Sequence, residues 1–267
     1  MFWPTDRVLM ELKGTIKDRE HIGQFLNRFV PGIRVMGLKS GGLNALRDDI
    51  VHAMDEAVRI GPPLVVVYFQ GHGEGHYGPL RYITGDRKEG GKLEGFTAEG
   101  LVKMFSKLSA QTMAMVITDF CNTGNIYRLR FILVPRSDGS SFWAETQEWE
   151  DDQKSSRVHS ITSPMIHAAG SLECQSVYET EKRGGYLTNS LANLEAGPLT
   201  LARFLLNLRR DVEVHLQDAK AHPRSPLPEY AEQVPQVYCN FELPPNDPES
   251  FLRIYDGTAK SFYSTFN

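Results

Sequence analysis

The chain has 267 residues with 33 acidic and 29 basic side chains, and 41% of its residues are hydrophobic, a profile typical of globular proteins and unlike disordered or collagen-like chains. The net charge of −4 without a basic cluster argues against a nucleic-acid partner. The longest apolar run, 64–69, is far below the roughly 20 residues of a membrane-spanning helix. With no secretory signal pattern and three cysteines that lack metal-type spacing, we expect a cytoplasmic protein with free thiols and no membrane partner.

Hydrophobic periodicity predicts alternating helices and strands over most of the chain. The run 64–69 is β-branched and aromatic without polar alternation, which predicts a central strand covered on both faces. The expected elements are a helix from about Asp18, a strand over 33–38, a helix ending at Gly61, a strand over 64–69, a loop over about 71–95, a helix capped by Thr97, a strand over 113–118, a mobile surface loop over about 135–160, a strand over 165–169, helices around Leu187 and from Thr200, and a strand over 236–241. This alternation predicts an α/β fold.

Two of the predicted strands end in residues suited to nucleophilic catalysis. Strand 64–69 leads into Gln70-Gly71-His72-Gly73, and strand 113–118 leads into Asp119-Phe120-Cys121. Ligands of open α/β sheets bind beyond the carboxyl ends of the strands, so a site is expected there. A cysteine nucleophile acts as a thiolate and needs a base, which His72 can supply. The alternative interpretation is a structural thiol beside an incidental histidine.

The chain resembles the caspase-like clan, and within it the metacaspases, through five blocks in the family's order. The segments at His72 and Cys121 are similar to the family's Tyr-Ser-Gly-His-Gly and Asp-x-Cys-His-Ser-Gly motifs. The three weaker blocks are Leu12–Asp18, Ala169–Glu179 and Gly185–Thr188. The resemblance implies a caspase-like three-layer sandwich with a mostly parallel central sheet and helices on both faces. It implies a single domain with a large-subunit-like part over 1–134, a processing loop over 135–160 and a small-subunit-like part over 161–267.

The same resemblance implies a cysteine endopeptidase in which Cys121 and His72 form a catalytic dyad. The backbone amides of Gly73 and Cys121 correspond to the family's oxyanion hole, where donors stabilise the developing negative charge. We therefore expect protein or peptide substrates, a monomeric enzyme and no cofactor.

An acidic S1 pocket is implied by Asp18 and Asp119, which match the acids at the base of the pocket in metacaspases. Gln70 stands at the pocket wall where the family usually has Ser. Buried carboxylates attract a cation, so the resemblance predicts Arg or Lys at the P1 position of the substrate. Self-cleavage in the processing loop is then expected after Lys154 or Arg157.

The chain also departs from the family's pattern. Asn122 and Thr123 replace His and Ser after the nucleophile, and Arg128 stands where calcium-dependent metacaspases place an aspartate. Because a cation repels Ca²⁺, we expect no metal site. Only residues 1–11 are available for the family's first strand. We therefore expect either that an upstream segment is missing or that another segment or chain fills its place in the sheet.

Two other functions are open on the sequence. A catalytically silent caspase-like domain could act as a regulatory or interaction module, because a fold does not guarantee activity. A phosphate-binding α/β domain using the loop over 71–95 is the weaker alternative, since its glycine pattern fits neither a P-loop nor a dinucleotide-binding fingerprint.

Overall fold

The described residues form a six-stranded sheet with helices on both faces. The computed structural model describes residues 12–34, 45–75, 80–87, 93–155, 161–195, 197, 199–223 and 226–256. In chain order the helices are α1 (Thr15–Phe29), α2 (Arg47–Ile60), α3 (Ala98–Phe105), α4 (Gln147–Ser155), α5 (Tyr186–Ala192), α6 (Leu201–Lys220) and α7 (Pro248–Asp256). The strands are β1 (Leu64–Gln70), β2 (His72–Glu74), β3 (Arg81–Arg87), β4 (Leu93–Thr97), β5 (Met113–Asp119), β6 (Phe131–Pro135), β7 (Ser141–Glu145), β8 (Met165–Ala169), β9 (Glu179–Thr180), β10 (Gly184–Gly185) and β11 (Gln236–Cys239).

The strand order of the main sheet is β1-β5-β8-β11-β6-β7. Strands β1, β5 and β8 run parallel, whereas β11 is antiparallel to both of its neighbours and β6 and β7 form a hairpin. Every residue of β5 is buried, and alternate residues face two cores. Met113, Met115 and Ile117 pack with α1, α5 and α6, while Ala114 and Val116 pack with α2 and α3. The predicted α/β sandwich with helices on both faces is confirmed.

Two threonines begin helices where the sequence indicates them. The Thr97 hydroxyl accepts a hydrogen bond from Gly100 N at 3.1 Å, and the Thr200 hydroxyl accepts one from Arg203 N at 3.0 Å. Each bond satisfies a backbone donor that the first turn of the helix leaves free. Within the described residues, no helix combines the length and the hydrophobicity that a bilayer crossing requires.

Among the described residues, strand β1 lies at one edge of the main sheet, whereas the sequence predicts a central strand. In the described part of the chain it pairs with β5 alone, and most of its residues are half-buried. An apolar run indicates that both faces of a strand are covered, but it does not indicate whether another strand pairs along each edge. Of the predicted strand over 33–38, Ile33 and Arg34 have no regular structure, and 35–38 lie outside the described residues. The expectation about the family's first strand concerns residues 1–11, which lie outside them as well.

The two long loops predicted from polar composition contain regular structure. The segment over 71–95 contributes β2, β3 and β4 to a small antiparallel sheet. The segment over 135–160 contains β7 and α4, so it is wrong to describe all of it as a surface loop. Trp143 on β7 donates its ring N–H to Leu243 O at 2.7 Å, a tertiary contact that fixes the hairpin and that local composition does not reveal.

Candidate active site

The register of β1 and β5 brings His72 and Cys121 to the same edge of the sheet. Gln70 pairs with Asp119 at the end of the two parallel strands. Both residues of interest stand two positions beyond this pair, His72 at the start of β2 and Cys121 on the loop after β5. Each of them is half-buried. The predicted nucleophile and base therefore lie beyond the carboxyl ends of adjacent strands, where α/β sheets bind ligands.

Gly73 packs directly against the backbone of the residue proposed as the nucleophile. A Cβ atom at this position would stand 1.9 Å from Cys121 O and 2.8 Å from the ring of Phe120. Real Cβ atoms do not approach backbone oxygen so closely, so only glycine fits here. The predicted oxyanion-hole residues Gly73 and Cys121 are thus immediate neighbours in space.

The loop after Cys121 is held by the segment that follows β8. Asn122, whose φ of 61° lies in the left-handed region that Asn tolerates, donates its backbone N–H to Gln175 O at 2.7 Å. The Thr123 hydroxyl donates to Phe120 O at 2.7 Å. Asn122 and Thr123 are buried, so these departures from the family's pattern support the backbone of the loop. Cys174, beside Gln175, is exposed and has a φ of 64°.

Asp18, on α1, is fully buried at the edge of the sheet and accepts three hydrogen bonds. Gly185 N donates to Asp18 Oδ1 at 2.6 Å, and the Thr188 hydroxyl donates to the same oxygen. The side-chain amide of Gln70 donates to Oδ2. Burial raises the pKa of Asp18, although the Thr188 and Gly185 hydrogen bonds act in the opposite direction. Gln70 therefore orients the carboxyl group that the sequence assigns to the pocket.

Asp119 is the second acid of the pocket and is only 4% exposed. Burial, followed by the negative charges of Asp18 and Glu179, raises the pKa of Asp119 well above its usual value. Its Oδ1 atom has no hydrogen-bond partner among the described residues. Gly185 forms the facing wall, because a Cβ atom there would stand 2.5 Å from Asp119 Oδ2.

Glu179 is a third acid, to which the sequence analysis assigns no role. Its Oε1 accepts a hydrogen bond from Gly14 N at 3.1 Å, and burial raises the pKa of Glu179. None of the three acids forms an ion pair within the described part of the chain. Glu179 lies in the block that resembles the family's small-subunit segment, but only the fold shows that β9 carries it to α1. The pocket is therefore more acidic than Asp18 and Asp119 alone predict.

Arg128 lies in a separate cavity of about 240 Å³ on the α3 side of the sheet, which Glu99, Glu148 and Glu173 also line. Its guanidinium group is 3.4 Å from Glu99 Oε1, so a cationic side chain already occupies this acidic region. In the part of the chain that the structure describes, no cluster of three or more His, Cys, Asp or Glu residues is arranged to hold a metal ion.

Comparison with known proteins identifies the family. The caspase domain model of peptidase family C14 matches residues 6–243. A crystal structure of a Geobacter sulfurreducens protein is 15% identical and has a TM-score of 0.51, covering 91% of this chain and 88% of that one. Caspase-1 from Spodoptera frugiperda is 13% identical with a TM-score of 0.45, covering 87% of this chain and 82% of that one. No curated protein sequence matches.

The family match spans most of the sequence, and it includes the strand ends that carry His72 and Cys121. The Geobacter structure is similar in fold over nearly the whole length of both chains. The chain therefore belongs to the caspase domain family of peptidases, as its motifs predict.

Proposed function

We propose that this protein is a cysteine endopeptidase of metacaspase type that cleaves after Arg or Lys, with Cys121 as nucleophile and His72 as base. The observation that carries the proposal is a group of three acids, buried Asp18 and Asp119 and half-buried Glu179, which form no ion pair within the described residues and lie beside the strand ends that bear this dyad. A buried carboxylate favours a cationic partner, and a basic P1 side chain would supply one.

The chemistry follows from the positions of the two residues. The Cys121 thiol gives its proton to His72, and the sulfur attacks the carbonyl carbon of the scissile bond. The N–H groups of Gly73 and Cys121 stabilise the oxyanion, a contribution of a few kcal/mol for each donor. His72 then protonates the leaving amine, and water hydrolyses the thioester to release the acid product and the free thiol.

The acidic pocket lies on one side of this dyad and fixes the register of the substrate. Asp18 and Asp119 are attached to different elements, α1 and β5, and are held by hydrogen bonds and burial. Such rigid support orients the P1 side chain before reaction, which lowers the entropic cost of reaching the transition state. We also infer a monomer that acts in the cytoplasm, which sedimentation and cell fractionation test.

The test is a peptide assay with Arg, Lys, citrulline and Asp at P1, performed on wild-type protein, Cys121→Ala and His72→Ala. Citrulline has the shape of Arg without its charge. We expect cleavage after Arg and Lys alone, and a loss of at least about 10³-fold in each variant. Thermal unfolding provides the control for intact folding.

The outcomes separate the candidate functions. Equal turnover by wild-type protein and Cys121→Ala would refute the dyad. Faster cleavage after Asp than after Arg would refute the acidic S1 pocket. Folded wild-type protein without any Cys121-dependent cleavage would point instead to the catalytically silent domain.

A further inference from the structure

Tyr68 lies one step below the acidic pocket on the same face of the sheet. It pairs with Ile117 in the ladder of β1 and β5, and Gln70 pairs with Asp119. Side chains two residues apart on a strand point to the same face, so Tyr68 and Gln70 share the face that carries Asp119. The Tyr68 ring packs against the core formed with α1 and α5.

The hydroxyl group of Tyr68 is shielded from solvent and has no hydrogen-bond partner in the described part of the chain. Burial is the main cause that raises the pKa of Tyr68 well above its usual value, followed by the negative charges of Asp119 and Asp18. The Tyr68 hydroxyl is therefore neutral and has one donor and two acceptor sites. It lies close enough to the pocket acids for their negative charges to affect its pKa.

Two buried polar atoms on this face of the sheet thus lack a partner among the described residues, the Tyr68 hydroxyl and Asp119 Oδ1. Buried polar atoms are nearly always hydrogen-bonded in native proteins, because leaving one unpaired is costly. Asp18 differs, since its oxygens already accept hydrogen bonds from Gly185, Thr188 and Gln70. The free acceptors of the pocket are therefore spread over different groups.

We propose that Tyr68 is a specificity-determining residue of this pocket, whose hydroxyl oxygen accepts a hydrogen bond from a P1 guanidinium and so favours Arg over Lys. The inference rests on the proposed function and assigns the preference between its two basic substrates to one hydroxyl group.

The shapes of the two cations explain the preference. A guanidinium group presents five N–H donors in a rigid plane, so it can reach several separate acceptors at once. An ammonium group directs three donors from a single atom. Acceptors on both Tyr68 and Asp119 suit the wider cation, whereas Lys would leave one of them unpaired.

The test is Tyr68→Phe, which removes the hydroxyl and keeps the ring. The matched control is Tyr127→Phe, because Tyr127 also has a buried hydroxyl without a hydrogen-bond partner among the described residues but lies in the opposite core with α3. We expect Tyr68→Phe to lower kcat/KM for Arg peptides by about 10-fold and the Arg to Lys ratio by at least about 5-fold. The control should change neither value, and neither variant should lower the thermal midpoint, since no bond within the free protein is lost.

A binding assay on Cys121→Ala separates this inference from the proposed function. The probes are propylguanidinium and butylammonium, and their affinities are measured with and without the added Tyr68→Phe substitution. We expect a guanidinium preference that Tyr68→Phe removes. If the binding assay shows this guanidinium preference but the wild-type protein cleaves no peptide, the peptidase proposal fails, whereas the assignment of Tyr68 as a guanidinium-binding residue stands. An Arg to Lys ratio or a probe preference unchanged by Tyr68→Phe, or no guanidinium preference at all, would overturn the role of Tyr68.

Discussion

Replacing Asp119 by Asn should remove the activity toward basic substrates while making the protein more stable. Asp119 is buried, and its Oδ1 atom has no hydrogen-bond partner in the described part of the chain. Loss of its charge removes one of the three acids available to a P1 cation. Breaking a buried ion pair costs about 3 kcal/mol or more, and each 1.4 kcal/mol is tenfold, so kcat/KM for Arg peptides should fall by about 100-fold. Citrulline peptides should be affected by less than about 3-fold.

The same loss of charge should stabilise the protein when no substrate is bound. At a pH above its raised pKa, the carboxyl group of Asp119 is ionised and buried near two other acids in the empty pocket, and an isosteric amide avoids this cost of about 1–2 kcal/mol. For a protein of this size the thermal midpoint should rise by about 2–8 °C. Because the pKa of Asp119 is raised in the folded state, the wild-type protein loses stability relative to the variant as pH rises through that pKa. The difference in midpoint should therefore be larger at pH 8 than at pH 5.

The assay combines thermal unfolding at both pH values with cleavage of Arg and citrulline peptides. Asp138→Asn is the matched control, because hydrogen bonds from Ser140 lower the pKa of that exposed carboxyl group. The control should give no gain in stability and no change in the Arg to citrulline ratio. Two results would refute the assignment of Asp119 as a buried acid without an ion pair. One is an Asp119→Asn protein that is less stable than wild type at pH 8, and the other is an Arg to citrulline ratio equal to that of wild type.

Three further predictions use other parts of the site. Activity should change by less than about 2-fold between EDTA and millimolar Ca²⁺, because Arg128 places a positive charge among the acids of this cavity and repels a second cation. Strong calcium activation would contradict this. Gly73→Ala should reduce kcat by at least about 10-fold, since its Cβ would stand 1.9 Å from Cys121 O; unchanged kinetics would show that the loop accommodates the methyl group. Concentrated enzyme should cut itself after Lys154 or Arg157, and cleavage after Arg157 leaves a C-terminal fragment of 110 residues (267 − 157). Intact-mass measurement tests this, and the same fragments in Cys121→Ala, or none in active enzyme, would exclude self-cleavage.

The sequence predicts the elements whose signals are local. Helix caps at Thr97 and Thr200 and the buried run of β5 depend on residues close together in the chain, and the structure agrees with them. The hairpin of β6 and β7 and the small sheet after His72 were missed because their pairing partners lie in segments whose polar composition predicts loops. Composition cannot distinguish an exposed loop from a short strand that pairs elsewhere.

Only part of the candidate site can be predicted from the sequence. Asp18 and Asp119 stand in motifs, so a resemblance identifies them. Glu179 also stands in a block that resembles the family, but its contact with Gly14, 165 residues away in the chain, is visible only in the structure. Tyr68 reads as one more apolar residue of a strand, because its place below Asp119 follows from the register of β1 and β5.

The three cysteines differ enough in environment to make thiol labelling informative. Cys239 is buried, its Sγ lies 2.7 Å from Phe241 O, and burial raises the pKa of its thiol well above the usual value, so alkylating reagents should reach it only after unfolding. Cys174 is exposed and would consume reagent before it reports on the active site. Asn readily adopts the left-handed backbone that Cys174 has. In folded Cys174→Asn protein, the amount of iodoacetamide incorporated therefore measures Cys121 alone and gives the concentration of competent enzyme.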